Sequence, residues 1–463
     1  MIWGLNSKIS HTVNLIIHLL NVILCYILSK VIFYKFNISD PGKIKVLLIS
    51  FIYALHPTQI EAVAWISGRF DLLAAFFSFI SLILIIKFHL NNKIISIAVC
   101  MLFFGFLCKE SALLVVPIVY FLLYILNGFS GIYNKNTYMN ILIFIALCFY
   151  FLLRYISLGD AFVDNNKYLL LNLSLLDRFL IIFFYIFEYL KNVIIPFNNI
   201  GPIHIFVEDV IGTKQWYFSA LMGFLSLLTL LVYKNNKIVI FYVCFLIALF
   251  FVLQVILVFS GWNCISDRFL YFPLYFISVA IVLSISSLLE KYLKIKNIVI
   301  GGIIVWLLLL VVTTSNIVPY WKSNITLWGW QYIKTENSYA RDSYINELLR
   351  INNIDLLDIE FNKLEKNEKL TIENPRLLLM YSTYLVRKGD AKSFYYLEKL
   401  AKEFSYINND DLKNSYIEVK IQLAQAYLYI DNNKKAAREI LEEVKIINPR
   451  NKNVIKLDYL LNK

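Results

Sequence analysis

The chain has too little charge for a soluble protein of its length. Charged residues make up 16% of its 463 residues, and apolar residues make up 59%. In an average soluble domain, about 25% of residues are charged and about 45–50% are apolar. The chain has no glycine-rich phosphate loop and no nucleophile elbow, so nothing in the sequence predicts a soluble nucleotide as ligand or substrate. Its six cysteines show neither a disulfide framework nor a metal-type spacing. We therefore predict no cofactor, and the need for a divalent metal stays open.

The charge that is present divides the chain in two. Residues 1–319 hold 21 Lys/Arg and 12 Asp/Glu, whereas residues 320–463 hold 23 Lys/Arg and 20 Asp/Glu. The sequence therefore predicts a transmembrane domain over 1–319 and a soluble domain over 320–463. Most of the net charge of +12 belongs to the membrane part. This favours basic loops beside membrane lipids over a nucleic-acid surface, and no nucleic-acid partner is expected.

Eleven apolar runs approach or reach the roughly 20 residues that a spanning helix needs. They lie near 13–33, 46–56, 70–88, 94–108, 111–126, 138–156, 176–195, 216–233, 238–259, 269–289 and 297–316. We predict an all-α, polytopic helical bundle with about 10–11 spans. The run at 176–195 carries Asp177, Arg178, Glu188 and Lys191 and is our candidate for a run that does not cross.

The Lys/Arg bias of the short loops predicts the orientation. The loop after the first run contains Lys30, Lys35, Lys43 and Lys45, so we place it in the cytoplasm. The segment 56–71 then faces outward. The same rule places residues 266–268 and the C-terminal domain outside.

Soluble amphipathic helices begin at about Tyr339. Ser415–Ile430 and Lys434–Ile447 are predicted to form one helical hairpin, Pro375–Phe404 a second, and residues 340–368 a third. Small and aromatic residues recur where the helices cross, as in tetratricopeptide-like repeats. Stacked hairpins of this kind form a docking surface. Alternatively, they only cap and stabilise the membrane domain.

The segment 56–71 places several polar side chains between two apolar runs. Pro57 suits the first turn of a helix. Glu61, Trp65 and Arg69 follow at i, i+4 and i+8, which predicts that they lie along one helix face. A carboxylate beside an Arg, with an aromatic ring between them, is typical of a pocket for a phosphorylated, hydroxyl-rich substrate. The alternative is a structural ion pair that fixes a loop at the membrane surface.

Three other polar groups lie in or beside apolar runs. Lys109-Glu110 is either an exposed hairpin turn or a phosphate-binding element on the outer face. Asp267-Arg268, followed by Tyr271, is either an interfacial anchor or part of the same site. Asn14 and two histidines lie on one face of the first run, at 11, 14 and 18. We expect them to be packing or hydrogen-bond partners between helices, because a metal site would need further ligands.

Three stretches together resemble a known family. They are His56-Pro57-(three residues)-Glu61-Ala62-Val63-Ala64-Trp65-Ile66-(one)-Gly68-Arg69-(one)-Asp71-Leu72-Leu73-Ala74, then Lys109-Glu110, then Asp267-Arg268-Phe269-Leu270-Tyr271-Phe272-Pro273. With the repeat tail, they resemble the multi-spanning protein O-mannosyltransferases with tetratricopeptide repeats (TMTC type) and their bacterial relatives, which are GT-C glycosyltransferases. The resemblance covers nearly the whole chain.

The resemblance implies a polyprenyl-phosphate sugar donor, held at the outer or lumenal membrane face. The sugar, such as mannose, would pass with inversion to a protein or glycan acceptor that docks on the repeat domain. The short repeat tail favours a bacterial relative in the inner membrane, with the repeats on the periplasmic face. The family's motifs match these positions: His56, Glu61, Arg69, Asp71, Lys109, Glu110, Asp267, Arg268 and Tyr271.

One departure from the family concerns the catalytic base. Family members have a segment that resembles residues 2–18. Before it they have a first span and then a large outer loop. That loop carries the acidic residue thought to act as the base. This chain begins at Met1, after that loop. Either the start is truncated, or the loop is lost and the protein is inactive, or another carboxylate serves, for which Glu61 and Asp71 are the candidates. The other seven matching residues are predicted to bind substrate, with Arg69, Lys109 or Arg268 stabilising the leaving phosphate.

Two other functions are compatible with the sequence. The first is a non-catalytic membrane scaffold whose repeats recruit partners, which the missing loop favours. The second is a transporter of lipid-linked glycans. A transporter would need charged or broken helices deep in the bundle, and Arg154 and Glu188 are the candidate charges.

Overall fold

The computed structural model of the protein describes residues 7–133, 136–158, 174–197, 200–202, 207–232, 237–253, 265–292, 294, 296–366, 374–405 and 410–461. Every regular element within these residues is a helix. The α-helices are α1 Ser7–Lys35, α2 Ile44–Leu55, α3 Ile60–Ala64, α4 Arg69–Phe88, α5 Asn92–Cys108, α6 Val115–Tyr133, α7 Thr137–Leu158, α8 Leu175–Ile194, α9 Val207–Val210, α10 Lys214–Val232, α11 Lys237–Leu249, α12 Pro273–Lys291, α13 Lys296–Ile317, α14 Asn324–Thr335, α15 Ser338–Ile351, α16 Ile354–Lys366, α17 Pro375–Lys388, α18 Lys392–Ser405, α19 Asp410–Tyr429, α20 Lys434–Ile447 and α21 Lys452–Leu461. The prediction of an all-α protein is confirmed.

The chain divides into two compact units, Met1–Trp321 and Lys322–Lys463. In the first unit, the described residues include six helices that are long and apolar enough to cross a membrane. A seventh span is possible if α2 and residues 57–64, which meet at a bend of 50°, count as one. The protein is therefore an all-α membrane protein.

These spans are fewer than the ten or eleven predicted from the apolar runs. The runs at 94–108 and 238–259 form shorter apolar helices: α5 has 17 residues and α11 has 13. The run at 238–259 continues beyond Leu253, where it lies outside the described residues. The four-charge run at 176–195 forms α8, which is not among the candidate spans.

The first helix is joined to its neighbours by a row of buried polar side chains. Asn14, His18, Asn21 and Ser29 are all buried along one face of α1. The His18 ring and the Asn21 amide both contact the Tyr271 hydroxyl, at 2.8 and 3.0 Å. Hydrogen bonds of this kind hold helices together in a bilayer, where water cannot replace them. The prediction that α1 carries interhelical hydrogen-bond partners is confirmed for Asn14 and His18.

The second unit is built from helical hairpins. The pairs α15–α16, α17–α18 and α19–α20 lie where the sequence predicted them, and α20 has the predicted bounds. Asn352 and Gly389 end α15 and α17 with positive φ, as is common where a helix stops. Asn432 has positive φ in the turn between α19 and α20. The tetratricopeptide assignment stays a prediction.

One helix of this unit was not predicted. α14 packs on α15, and a Cβ on Gly329 would lie 3.1 Å from the Tyr344 ring. α14 carries a single charged residue, Lys334, so the charged faces that mark the later helices begin only with α15.

Gly223→Ala should separate α8 from α10. A Cβ at this position would lie 1.9 Å from the Phe183 carbonyl oxygen, and backbone cannot yield as a flexible side chain does. We expect a loss of about 1–3 kcal/mol in the free energy of unfolding, measured as thermal stability in detergent. Gly301→Ala is the matched control, because a Cβ there meets nothing within 4 Å. Equal stability of the two variants would contradict this packing.

Candidate functional site

The family-like segments meet at one end of the membrane unit. Helices α4, α6 and α12 begin there and α2 and α5 end there, so the short helices between them lie in contact. The lysines that predicted cytoplasmic loops lie at the other end, where Lys237 Nζ donates to the Asn37 carbonyl and Lys45 is 3.9 Å from Glu290. The grouping agrees with the predicted positive-inside pattern.

Glu61 joins the first motif to the third. Its side chain is 4% exposed, and both carboxylate oxygens accept the Ser266 hydroxyl at 2.8 Å. Oε2 also accepts the Arg268 backbone N–H at 3.0 Å, and Oε1 lies 3.5 Å from Arg268 Nη1. The contact confirms that segments 56–71 and 266–268 lie close together.

Asp71 and Lys109 form the second ion pair of the site. Lys109 Nζ donates to Asp71 Oδ1, and the ammonium also lies over the Phe269 ring, 5.2 Å from its centre. This pair joins the start of α4 to the turn between α5 and α6. It therefore links the first motif to the second.

The two ion pairs border one small cavity of about 30 Å³. Its polar wall contains Asp71, Ser78, Lys109, Ser111 and Arg268. Glu61 does not line the cavity. A space of this size holds about one water molecule, so the site in this conformation is closed to a sugar.

Arg268 is the most exposed charge at this cavity. Its side chain is 29% exposed, and its guanidinium lies over the rings of Trp65 and Phe269 at 4.7 and 5.2 Å. Aromatic faces stabilise a cation without satisfying its N–H donors. The guanidinium is thus held in place with donors left for an anion.

Arg69 lies apart from this group, which corrects the predicted geometry. Its Nε donates to Asn14 Oδ1 at 3.0 Å and its Nη2 to the Ser10 carbonyl at 3.1 Å. The predicted single helix through Glu61, Trp65 and Arg69 is wrong. α3 ends at Ala64, and Trp65 is extended with ψ 127°. The break turns the side chain of Arg69 toward α1 instead of the cavity.

Close packing holds this break in shape. A Cβ on Gly68 would lie 2.1 Å from the Ala62 carbonyl oxygen, so only glycine fits there. On the other side, Asn14 Nδ2 donates to the carbonyls of Val63 and Trp65 at 3.2 and 2.9 Å. The amide thereby holds the backbone where the helix is broken, and the Trp65 carbonyl also accepts the Gly68 N–H at 3.0 Å.

His56 fixes the same loop to α8. Its Nδ1 accepts the Thr58 backbone N–H at 3.3 Å, so Nε2 carries the proton and donates to the Val193 carbonyl at 2.8 Å. The ring is buried. Both nitrogens are thus used inside the protein, which supports a positioning role more than contact with substrate.

The remaining predicted residues differ in placement. Asp267 is buried and accepts the Gly201 N–H at 3.1 Å. The Tyr271 ring lines the cavity wall, whereas its hydroxyl points to His18 and Asn21. Glu110 starts the short helix 110–114 beside Lys109 and does not line the cavity. Of the nine predicted residues, Asp71, Lys109, Arg268 and Tyr271 therefore border the cavity.

Sequence reasoning missed Ser266 and did not assign Asn14 to the site. Ser266 directly precedes the charged pair of the third motif, and that position was the only signal for it. Asn14 was recognised as a polar residue on α1, but its partners lie 49 to 55 residues further along the chain. Among the described residues, no group of three or more His, Cys, Asp or Glu is placed to hold a metal ion.

Comparison with known proteins gives one partial similarity. The chain is 34% identical to a protein O-mannosyl-transferase of Caenorhabditis elegans over 125 residues. These residues are 25% of this chain and 16% of that protein, so the chain matches about one sixth of its relative's length. No family model and no solved structure matches the chain. The similarity supports a glycosyltransferase-like relationship.

The Glu61–Arg268 pair should show energetic coupling. Arg268→Ala leaves a buried carboxylate without its cation, whereas in the Glu61→Gln background no charge is left unpaired. We therefore expect Arg268→Ala to lower thermal stability in detergent more in the wild-type background, with a coupling of about 0.5–3 kcal/mol. Strictly additive effects in this double-mutant cycle would show that the two side chains do not interact.

Proposed function

We propose that the protein is a membrane glycosyltransferase that transfers a sugar, such as mannose, from a polyprenyl-phosphate carrier to a protein or glycan acceptor. The main support is geometric. Three family-like segments, separated by up to about two hundred residues, bring two cations and a carboxylate to one cavity. The partial similarity to a protein O-mannosyl-transferase points the same way.

In this proposal, Lys109 and Arg268 bind the phosphate of the donor. Both cations border the cavity, and a positioned cation stabilises the negative charge that develops on a leaving phosphate. The acceptor hydroxyl attacks the anomeric carbon as the bond from that carbon to the phosphate oxygen breaks. The polyprenyl phosphate leaves with both bonding electrons, and the anomeric configuration inverts.

Asp71 is the better placed of the two predicted catalytic carboxylates. It lines the cavity, whereas both oxygens of Glu61 are bound to the segment 266–268. Asp71 would accept the proton of the acceptor hydroxyl as general base. Glu61 would act by positioning Arg268.

The closed cavity sets a requirement for catalysis. Lys109 is neutralised by Asp71 in the described conformation, so a donor phosphate must compete with that carboxylate for the ammonium. Donor binding then frees Asp71 to accept a proton. If the pair does not open, the second candidate function, a non-catalytic scaffold, accounts better for the closed site.

Glu188, which motivated the transporter alternative, has an internal role in the described structure. Its Oε1 accepts the Ser219 hydroxyl at 3.1 Å, and its Oε2 accepts from Lys191 at 2.7 Å. The carboxylate thus connects α8 to α10 and is neutralised where it lies. This supports a packing role over a transport path.

Donor binding should distinguish Lys109 from Arg69. Lys109→Gln removes a charge-assisted contact to phosphate, which is worth about 1.5–3 kcal/mol, or roughly ten- to a hundredfold in affinity. Arg69→Gln should leave affinity within about twofold and lower thermal stability, because that guanidinium bonds only to α1 among the described residues. Titration of each purified variant with a polyprenyl-phosphate sugar measures its affinity for the donor.

The same preparation separates binding from chemistry. Asp71→Asn should retain donor binding and lower the turnover of sugar transfer by about 10²–10⁴-fold, the usual contribution of a general base. Glu61→Gln should affect stability more than turnover. If Lys109→Gln binds donor like the wild type, or Asp71→Asn transfers sugar normally, the assigned roles are wrong.

Acceptor docking requires the repeat unit on the same side of the membrane as the cavity. Lys291, Lys294 and Lys296 precede α13, and the positive-inside rule places them in the cytoplasm. α13 then leads to the other side, so we expect the second unit in the bacterial periplasm. A periplasm-dependent reporter fused after Lys463 should be active. Activity of a cytoplasm-dependent reporter at the same position would exclude this docking role.

A further inference from the structure

A large apolar groove runs along α12, away from the candidate site. Its volume is about 980 Å³, and its walls come from α8, α10, α11, α12 and α13. One stripe of α12 lines it from Ile277 to Lys291. Its ends are 14 residues apart in sequence, or about 21 Å at about 1.5 Å per residue. One leaflet of a bilayer, headgroups included, is roughly 20–22 Å thick.

The wall of the groove suits a hydrocarbon chain more than a polar ligand. Apolar side chains from α8, α11, α12 and α13 form most of it. Four of the six hydroxyls that line it have partners inside the protein, those of Ser226, Thr229, Tyr242 and Ser284. Ser284 donates to the Ala280 carbonyl at 2.8 Å, and Ser226 lies 2.8 Å from the Tyr242 hydroxyl. A sugar would therefore find few free hydrogen-bonding groups, whereas apolar chains bury against such a surface favourably.

Positive charge gathers at one mouth of the groove. Lys291 lines it, and the exposed Lys294 and Lys296 follow directly. Glu290, the neighbouring acidic residue, lies 3.9 Å from Lys45 and does not line the groove. Lys291 makes no hydrogen bond or ion pair with any described residue. Its ammonium lies 5.2 Å from the centre of the Tyr292 ring. The mouth is thus suited to an anion at headgroup depth.

We infer that this groove binds an anionic glycerophospholipid, with its phosphate at Lys291 and its acyl chains between α12 and α13. The argument rests on the match between groove length and one leaflet and on the charge at the mouth. α13 makes this possible because few of its residues pack inside the protein; only Leu310 and Ile317 are buried. The lipid would hold α13 against the bundle. The inference does not depend on the proposed transfer reaction.

Trp306 offers a direct test, because it lines the far end of the groove. Full-length protein is reconstituted in phosphatidylcholine bilayers that contain phosphatidylglycerol, with brominated acyl chains on one lipid or the other. The contribution of Trp306 is obtained by subtracting the tryptophan fluorescence quenching of Trp306→Phe from that of the wild type. We expect brominated phosphatidylglycerol to quench Trp306 at lower mole fraction than brominated phosphatidylcholine does.

Two pairs of variants locate the effect. Lys291→Gln should reduce the preference for phosphatidylglycerol about fivefold, the factor that corresponds to ~1 kcal/mol per lysine at a membrane surface. Lys87→Gln, which removes an equivalent lysine at the end of α4 outside the groove, should not. Gly302→Leu fills the groove and should reduce quenching, whereas Gly301→Leu should not, since both positions have open space but only Gly302 lines the groove.

Three outcomes would overturn the inference. The first is equal quenching by the two phospholipids in the wild type. The second is an unchanged preference in Lys291→Gln. The third is quenching by a brominated polyprenyl phosphate but not by phosphatidylglycerol, which would show that the groove holds the tail of the proposed sugar donor instead.

Discussion

The site depends on one buried carboxylate. Glu61 cannot remain charged inside the protein without partners, and the Ser266 hydroxyl, the Arg268 backbone and the Arg268 guanidinium supply them. These contacts require residues 266–270, which precede α12, to lie against α3. Once it does, Arg268, Lys109 and Asp71 border the same cavity. The candidate chemistry therefore depends on an ion pair whose acidic member is outside the cavity.

Much of the fold could be predicted from the sequence because its signals are local. Long apolar runs give α1, α4 and α12, and the amphipathic pattern gives the hairpins of the second unit with nearly their observed bounds. The four charges of α8 marked it as unlike the other runs. The short helix α14 was missed because it carries a single charged residue, Lys334, unlike the later helices.

The arrangement of the site was harder to predict, because helix spacing applies only within an unbroken helix. Glu61 and Arg69 were expected on one face, but the extended backbone at Trp65 separates them. The signal for the break was Gly68, whose place against the Ala62 carbonyl becomes apparent only in three dimensions. Likewise, the pairing of Asp71 with Lys109 joins residues 38 positions apart, and spacing alone gives no information about such a contact.

The central claim is that a polyprenyl-phosphate donor binds at the cavity between Asp71, Lys109 and Arg268. Its most direct test uses a polyprenyl-phosphate sugar with a photoreactive group on the isoprene unit next to the phosphate. After irradiation of the full-length protein, the labelled peptides are identified by mass spectrometry. We predict labels within residues 66–78, 109–116 or 266–273, which unlabelled donor should suppress. Labelling confined to other segments, with no competition at these three, would contradict the account.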